Sequence, residues 1–196
     1  MALLACADFT GTLSSCISEN SGMQLDYLVR TADAADAKRL AVLATQVWLH
    51  TYATQGVSSP IADYVLGELT ADKYTALLQH PAKVVLVAEQ EDALLGFVVV
   101  ELDAPCPDSP DACVELATLY VQAHSGGKGI GTALLGQAQA LARQRSDSRL
   151  WLSVNVHNRH ACAFYARRGY RKIGSLLFML DGVGHENDVL ISAPPP

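Results

Sequence analysis

A glycine-rich loop between a strand-like segment and a helix-like segment is the feature that most constrains how this chain can fold. Residues 124–135 read HSGGKGIGTALL, with four glycines within six positions and Lys128 among them. Glycine allows the backbone to approach a ligand closely, and the first turn of a helix carries N–H groups without intrahelical partners. The unit therefore predicts a binding site for an anion such as a phosphate or a pyrophosphate.

The remaining apolar periodicities predict helices followed by alternating strands and helices. Three helical stripes lie between residues 34 and 80, with Ser59 and Thr70 as the predicted N-caps of the second and third. Two more helices follow the glycines and Asn158, a good N-cap residue. Strand-like patterns cover residues 24–33, 83–90, 94–102, 113–121, 149–157, 171–180 and 188–193. This order predicts an α/β fold, a single domain in which helices flank a mixed sheet.

The composition argues for one globular domain and against several classes of partner. Half of the 196 residues are apolar and 17% are charged, which is enough apolar material for one continuous core. The net charge of −6 argues against a nucleic-acid partner. No apolar run reaches the roughly 20 residues of a membrane span, so no membrane partner is expected. Five cysteines without a C-x-x-C pair argue against a disulfide framework or a metal site and favour a cytoplasmic location.

The two ends of the chain differ in composition from its centre. Residues 1–22 lack a basic n-region and are predicted to be a disordered leader, whereas residues 23–193 form the folded domain and residues 194–196 a flexible tail. A homodimer is the default expectation among oligomers.

The common nucleotide-binding motifs do not fit the glycine loop. A P-loop requires Ser or Thr after its lysine, but Lys128 is followed by Gly129. A dinucleotide fingerprint fails because its last glycine position falls on Thr132 or Leu134, and the next strand-like segment ends without an acidic residue. A flavin or nucleotide-phosphate protein that uses the loop in another way stays as an alternative.

The segments around the loop resemble the GNAT superfamily of acetyl-CoA-dependent N-acetyltransferases. The family signature Q/R-x-x-G-x-G/A is similar to GGKGIG, although Gly126 stands where the family usually has Gln or Arg. The segment NRHACAFYARRGYRKIG resembles the family pattern N-x-x-A-x-x-x-Y-x-x-x-G-[FY]. The resemblance covers residues 25–193 and implies a GNAT-like acyl-CoA N-acyltransferase fold with a mostly antiparallel sheet.

By this resemblance, the coenzyme lies along the strand and the glycine loop. The strand edge at Leu119, Tyr120 and Val121 would bind the pantetheine arm where the fourth and fifth strands part, and Asn158 would reach the pantetheine or the CoA. Gly126 changes only a side-chain contribution. The amides that would hold the pyrophosphate are those of Gly127, Lys128, Gly129, Ile130, Gly131 and Thr132.

The resemblance also implies the catalytic groups. Glu115 matches a position that serves as the base in some relatives, and His124 and His157 are its rivals. Tyr165 occupies the position of the family's general acid. Its phenol is protonated at neutral pH and can therefore donate a proton. Cys113 and Cys162 have no triad partner at a recognisable spacing, so we interpret them as small buried residues.

The implied activity is transfer of an acetyl group from acetyl-CoA to a primary amine, directly and within a ternary complex. The acceptor is a small molecule, with polyamines as one candidate class, or a peptide, and no metal takes part. Asp63 and Glu68 could attract a cationic amine, although both also fit ordinary solvent-facing positions of a helix. The alternative is a non-catalytic acyl-CoA-binding sensor on the same fold.

Overall fold

The structure is a computed structural model that describes residues 26–110, 112–146, 149–180 and 182–194. The predicted leader and residues 195–196 of the predicted tail lie outside the described residues. The elements in chain order are β1 (Leu28–Thr31), α1 (Ala37–Tyr52), α2 (Ser59–Glu68), α3 (Ala71–Gln79), β2 (Lys83–Gln90), β3 (Ala93–Glu101), β4 (Val114–Val121), α4 (Ile130–Ser146), β5 (Leu150–Asn155), α5 (Arg159–Ala166), β6 (Arg171–Leu180) and β7 (Val183–Ile191).

The strands form one seven-stranded sheet in the order β1-β2-β3-β4-β5-β7-β6. β4 and β5 are parallel and are connected through α4, whereas every other neighbouring pair is antiparallel. The mixed, mostly antiparallel α/β fold predicted from the sequence is therefore confirmed.

Helices cover both faces of the sheet. α4 and α5 pack against one face, and α1 and α3 pack against the other. Successive side chains of β4 point to opposite faces of the sheet. Leu119 and Val121 belong to the apolar cluster of α4 and α5, whereas Tyr120 belongs to the cluster of α1 and α3. β4, like β2 and β3, therefore contributes side chains to both halves of the core.

Several element boundaries differ from the sequence prediction. β1 begins at Leu28 instead of residue 24, and the N-cap of α2 is Ser58, so that Ser59 is its first residue. β7 begins at Val183 instead of residue 188, because β6 and β7 form one long hairpin that turns at Gly182. The φ of Gly182 is 72°, a left-handed conformation that only a glycine adopts without strain, and periodicity does not reveal such a turn.

Candidate functional site

The parallel strands β4 and β5 separate after a short stretch of pairing. Within the described residues, they pair only at Val114 with Leu150 and at Glu115 with Trp151. The amide of Gln122 donates to the carbonyl of Leu95 on the β3 side. Because N–H directions alternate along a strand, the amides of Leu119 and Val121 point to the opposite edge, toward the gap left by β5. The gap thus presents backbone donors to a ligand that lies between the strands.

The glycine loop continues β4 into α4. A short 3-10 turn over Ala123–Ser125 leads into Gly127 and Gly129, whose φ values are 77° and 80°. The amide of Gly126 donates to the carbonyl of Ala123 at 3.1 Å and is therefore already paired. In the part of the chain that the structure describes, the amides from Gly127 to Thr132 have no carbonyl partner. They form a row of free donors at the positive end of the α4 dipole.

A cavity of about 260 Å³, here called the glycine-loop cavity, lies over these amides. Ser125 is buried there and its hydroxyl has no hydrogen-bond partner. The cavity receives cationic side chains from the C-terminal end of α5 but no carboxylate among the described residues, so its chemistry suits a phosphorylated ligand. Its lining residues are Val121, Ser125, Gly126, Gly127, Gly129, Ile130, Gly131, Thr132, His160, Phe164, Arg167 and Arg168.

Tyr165 lies inside the core on the same face as the glycine loop. Its side chain is fully buried, and its hydroxyl has no hydrogen-bond partner. The ring packs against Phe164 and Tyr170, at centroid distances of 5.2 and 5.5 Å. Burial raises the pKa of the Tyr165 phenol well above its ordinary value. The phenol is therefore protonated at neutral pH, and its hydroxyl is free to donate a hydrogen bond.

A second cavity of about 510 Å³, here called the aromatic–carboxylate cavity, lies on the opposite face of the sheet. Tyr64 and Tyr74 contribute rings to it from α2 and α3, and Phe178 contributes one from β6. Its remaining lining residues are Glu68, Leu69, Lys73, Leu77, Lys83, Val99, Glu101, Glu115, Ala117, Thr118 and Tyr120.

Glu115 is the carboxylate of this cavity that lies at the last pairing between β4 and β5. Burial raises its pKa, and its cross-strand neighbour Glu101 raises it further, whereas Lys83 lowers it. Glu101 itself forms an ion pair with Lys83 at 3.0 Å. On the far side of the cavity, Glu68 forms an ion pair with Lys73 at 3.2 Å. A carboxylate with a raised pKa is a stronger base than an ordinary glutamate.

Not every candidate residue from the sequence reaches a cavity. Val121 and the glycines of the loop line the glycine-loop cavity together with Ile130 and Thr132, whereas Tyr120, Glu115 and Glu68 line the other cavity. Neither cavity includes Leu119, Lys128, Tyr165, Asn158, Asp63, His124 or His157.

Asn158 and the two cysteines have local structural contacts. The side chain of Asn158 accepts from the amide of Ala161 at 3.0 Å, which confirms the predicted N-cap. Cys162 donates to the carbonyl of Asn155 at 3.7 Å, and burial raises its pKa, so it is a poor nucleophile. The expectation that Cys113 is buried is wrong, because it is exposed directly before β4. No cluster of potential metal ligands occurs among the residues that the structure describes.

Sequence reasoning missed several residues that line the two cavities. Ser125, His160, Arg167 and Arg168 were not singled out, although Arg167 and Arg168 lie inside the quoted tyrosine segment. The direction of the Arg167 and Arg168 side chains could not be predicted from helical periodicity, because both residues follow Ala166, the last residue of α5. The aromatic lining of the other cavity comes from four elements, α2, α3, β4 and β6, and only tertiary packing brings these together.

The comparisons with known proteins agree with this geometry. The acetyltransferase (GNAT) family matches residues 56–170. An uncharacterized N-acetyltransferase of Mycobacterium tuberculosis is 29% identical over 156 residues, which span 80% of this chain and 96% of that protein. The PaiA N-acetyltransferase of Thermoplasma acidophilum, solved in complex with coenzyme A, has a TM-score of 0.67 at 19% identity over 85% of this chain and 98% of its own. An N-acetyltransferase of Staphylococcus aureus Mu50 has a TM-score of 0.66 at 18% identity, over 86% and 99% of the two chains.

A seven-stranded, mostly antiparallel sheet flanked by helices is thus the fold that this chain shares with the solved acetyltransferases. The chain belongs to the GNAT acetyltransferase family, because the family match spans more than half of its length. Within that family it is an N-acetyltransferase. Among the described residues, none of the helices has both the length and the apolar character needed to cross a bilayer.

Proposed function

We propose that this protein transfers the acetyl group of acetyl-CoA directly to a primary amine of a small molecule or a peptide. The observation that carries the proposal is the separation of β4 from β5 between two chemically different cavities. The glycine-loop cavity offers free amides and cations to a phosphorylated donor. The aromatic–carboxylate cavity, on the other face, offers rings and carboxylates to an amine. The two ligands would meet in the gap between the strands.

The binding of the donor rests on the backbone. Amides from Gly127 to Thr132 would hold the diphosphate, and the edge of β4 at Leu119 to Val121 would bind the pantetheine arm. Acetyl-CoA supplies the thioester whose acyl carbon forms a bond with the amine nitrogen as its bond to sulfur breaks. The amide of Val121 points to the same gap and would donate to the thioester oxygen.

Glu115 would remove the proton of the amine. An alkyl ammonium has a pKa near that of lysine, about 10.4, and only its neutral form is a nucleophile. Glu115 lines the acceptor side of the gap, and its raised pKa makes its carboxylate a better base than an ordinary glutamate. It would accept the proton directly or through a water molecule.

Tyr165 would supply a proton to the departing sulfur. Its unpartnered hydroxyl is buried on the donor side of the sheet, beside residues that line the glycine-loop cavity. The raised pKa of its phenol keeps the proton in place at neutral pH. The ammonium gives its first proton to Glu115, which returns it to the solvent. The second proton leaves the nitrogen as the C–N bond forms and replaces the proton that Tyr165 gives to the thiolate, so the transfer releases one proton overall.

Ligand-induced stabilisation combined with turnover tests the proposal. At about 100 times its Kd, acetyl-CoA is expected to stabilise the protein by roughly 2.7 kcal/mol, whereas ATP, NAD and FMN have no comparable effect. A panel of amines, including polyamines and peptide amino termini, is then screened for release of CoA. Tight binding of acetyl-CoA without release of CoA from any amine would indicate an acyl-CoA sensor and contradict the proposed transfer.

Glu115→Gln tests the base. The rate falls as pH decreases through the raised pKa of Glu115, because a protonated base accepts no proton. We expect Glu115→Gln to lower kcat/KM by about 100-fold near pH 7 and to remove this acidic limb of the pH profile. Glu101→Gln, on the neighbouring strand, is expected to keep the limb and to move it to lower pH, because the charge of Glu101 raises the pKa of Glu115. If Glu101→Gln loses the acidic limb and Glu115→Gln keeps it, Glu101 is the base and the assignment of Glu115 is wrong.

A further inference from the structure

A cationic side chain from outside the glycine loop enters the glycine-loop cavity. Gly126 lines the glycine-loop cavity without a side chain, at the position where the family signature has Gln or Arg. Arg168 enters the same cavity from the turn after α5, and its Nη2 donates to the hydroxyl of Thr132 in the first turn of α4. A guanidinium thus reaches the start of α4 from a different part of the chain.

The position of Arg168 is held by its neighbours. Its guanidinium carbon lies 3.6 Å from the centroid of the Phe164 ring, and its Nη1 donates to the carbonyl of Phe164 at 2.9 Å. A planar group that is stacked and anchored at one end loses little further conformational entropy when a ligand binds. Arg168 is therefore preorganised beside the free amides of the loop.

The charge of Arg168 lacks a matching anion. Its Nε is buried without a hydrogen-bond partner, and no carboxylate pairs with the side chain in the part of the chain that the structure describes. Burial and the neighbouring Arg167 both lower its pKa. Buried donors without acceptors are destabilising, and the hydroxyl of Ser125, in the same cavity, also has no partner. Both groups would gain an acceptor from an anion in the cavity.

We propose that Arg168 binds the diphosphate of the acyl donor and supplies the cationic side chain that position 126 lacks. The proposal rests on the proposed function, because it assumes that the glycine-loop cavity holds the coenzyme. Arg168 exchanges its contact with Thr132 for a phosphate oxygen, while its stacking on Phe164 is kept. It is a donor-binding residue and takes no part in proton transfer.

Arg168→Gln tests this proposal with two donors. We expect its Kd for acetyl-CoA to rise by at least about 10-fold and its kcat at saturating donor to change less than about twofold, as expected for lost uniform binding. S-acetylpantetheine has the same thioester without the diphosphate, so its KM is expected to be equal in wild type and variant. Arg171→Gln removes the same charge from an exposed position on β6, outside the cavity, and is expected to bind acetyl-CoA as the wild type does.

A second-site rescue tests whether Arg168 replaces the missing side chain. Gly126 has φ −60° and ψ 151°, a conformation that any residue adopts, so Gly126→Arg introduces no backbone strain. We expect the double variant Gly126→Arg with Arg168→Gln to regain at least half of the lost binding free energy. Arg168→Lys keeps the charge without the planar group and is expected to fall between wild type and Arg168→Gln.

The outcomes separate this proposal from the proposed function. If the wild type does not bind acetyl-CoA, both fail. If the wild type binds and Arg168→Gln binds equally well, only the role of Arg168 is wrong. An equal loss with S-acetylpantetheine would show that Arg168 acts through the structure of the site and would overturn the assignment, as would a double variant that recovers no affinity.

Discussion

At the scale of single residues, the hydroxyl of Tyr165 lowers the stability of the fold but serves the proposed proton transfer. The ring is packed in the core, yet the hydroxyl has no partner, and an unpaired buried polar group costs about 1–3 kcal/mol. A group retained at such a cost fits a residue whose partner arrives with a ligand. The neighbouring Tyr170 differs, because its hydroxyl accepts from Gln139 at 3.2 Å.

Tyr165→Phe and Tyr170→Phe are therefore expected to have opposite effects. Tyr165→Phe removes an unpaired hydroxyl, so the free energy of unfolding should stay equal or rise by about 1 kcal/mol, while kcat falls by about 100-fold. Tyr170→Phe removes a hydrogen bond and should lose about 1 kcal/mol of stability with kcat retained. Urea unfolding and steady-state kinetics measure both quantities. A Tyr165→Phe enzyme with the kcat of the wild type would exclude the phenol from proton transfer.

Some single residues of the site were readable from the sequence and others were not. The glycines of the loop and the cap at Asn158 were predicted because backbone chemistry links each residue type to its position. The need for glycine at position 96 was not predicted, because it depends on the contact between two strands. A Cβ at Gly96 would lie 2.7 Å from the carbonyl oxygen of Tyr120. The absence of that side chain lets β3 approach β4 beside the proposed pantetheine edge.

At the scale of elements, the glycine that precedes α4 and a glycine inside it have different functions. Gly129 precedes the helix with a φ of 80°, whereas Gly136 lies inside it, where an added Cβ would meet no atom within 4 Å. The first glycine sets the direction of the loop amides. The second is only a weak helix former at a solvent-exposed position.

Alanine substitutions at these two glycines should separate loop geometry from helix stability. Gly129→Ala forces a side chain into the left-handed region, so we expect a loss of about 1–2 kcal/mol in stability and a rise of about 10-fold in the Kd for acetyl-CoA. Gly136→Ala should gain roughly 0.5–1 kcal/mol without a change in Kd. Thermal unfolding and titration with acetyl-CoA provide the measurements. Equal affinity of Gly129→Ala and wild type would contradict the role of the loop amides.

At the scale of the whole molecule, an ion-pair network connects the first strand to the rest of the sheet. Asp36 is fully buried and accepts from Arg30 at 2.7 and 3.0 Å and also from Arg39. The two arginines extend the network to Glu89 on β2. The hydrogen bond from Arg30 is the largest of the effects that lower the pKa of Asp36 to about 2. The network joins β1, α1 and β2, and none of its four residues lines the glycine-loop cavity or the aromatic–carboxylate cavity.

Stability should therefore depend on Asp36 at low pH. A carboxyl with a lowered folded pKa stabilises the protein above its unfolded pKa near 3.8, and this stabilisation is lost as pH falls toward 2. We expect Asp36→Asn to lose roughly 2 kcal/mol at pH 7 and to show a weaker acid dependence of unfolding than the wild type. Asp103→Asn, which breaks the exposed pair with Arg145, should change stability by less than about 0.5 kcal/mol. A wild-type stability that stays constant from pH 5 to pH 2 would contradict this role.

The order of helices and strands, the glycine loop and the tyrosine segment were determined by the sequence itself, because apolar periodicity, caps and glycine conformations act over a few neighbouring residues. The tertiary structure alone decided where β4 and β5 part, which rings surround Glu115, and that Arg168 reaches the start of α4. Those features join residues distant in the chain, and their distances follow from how the two helical layers pack against one twisted sheet.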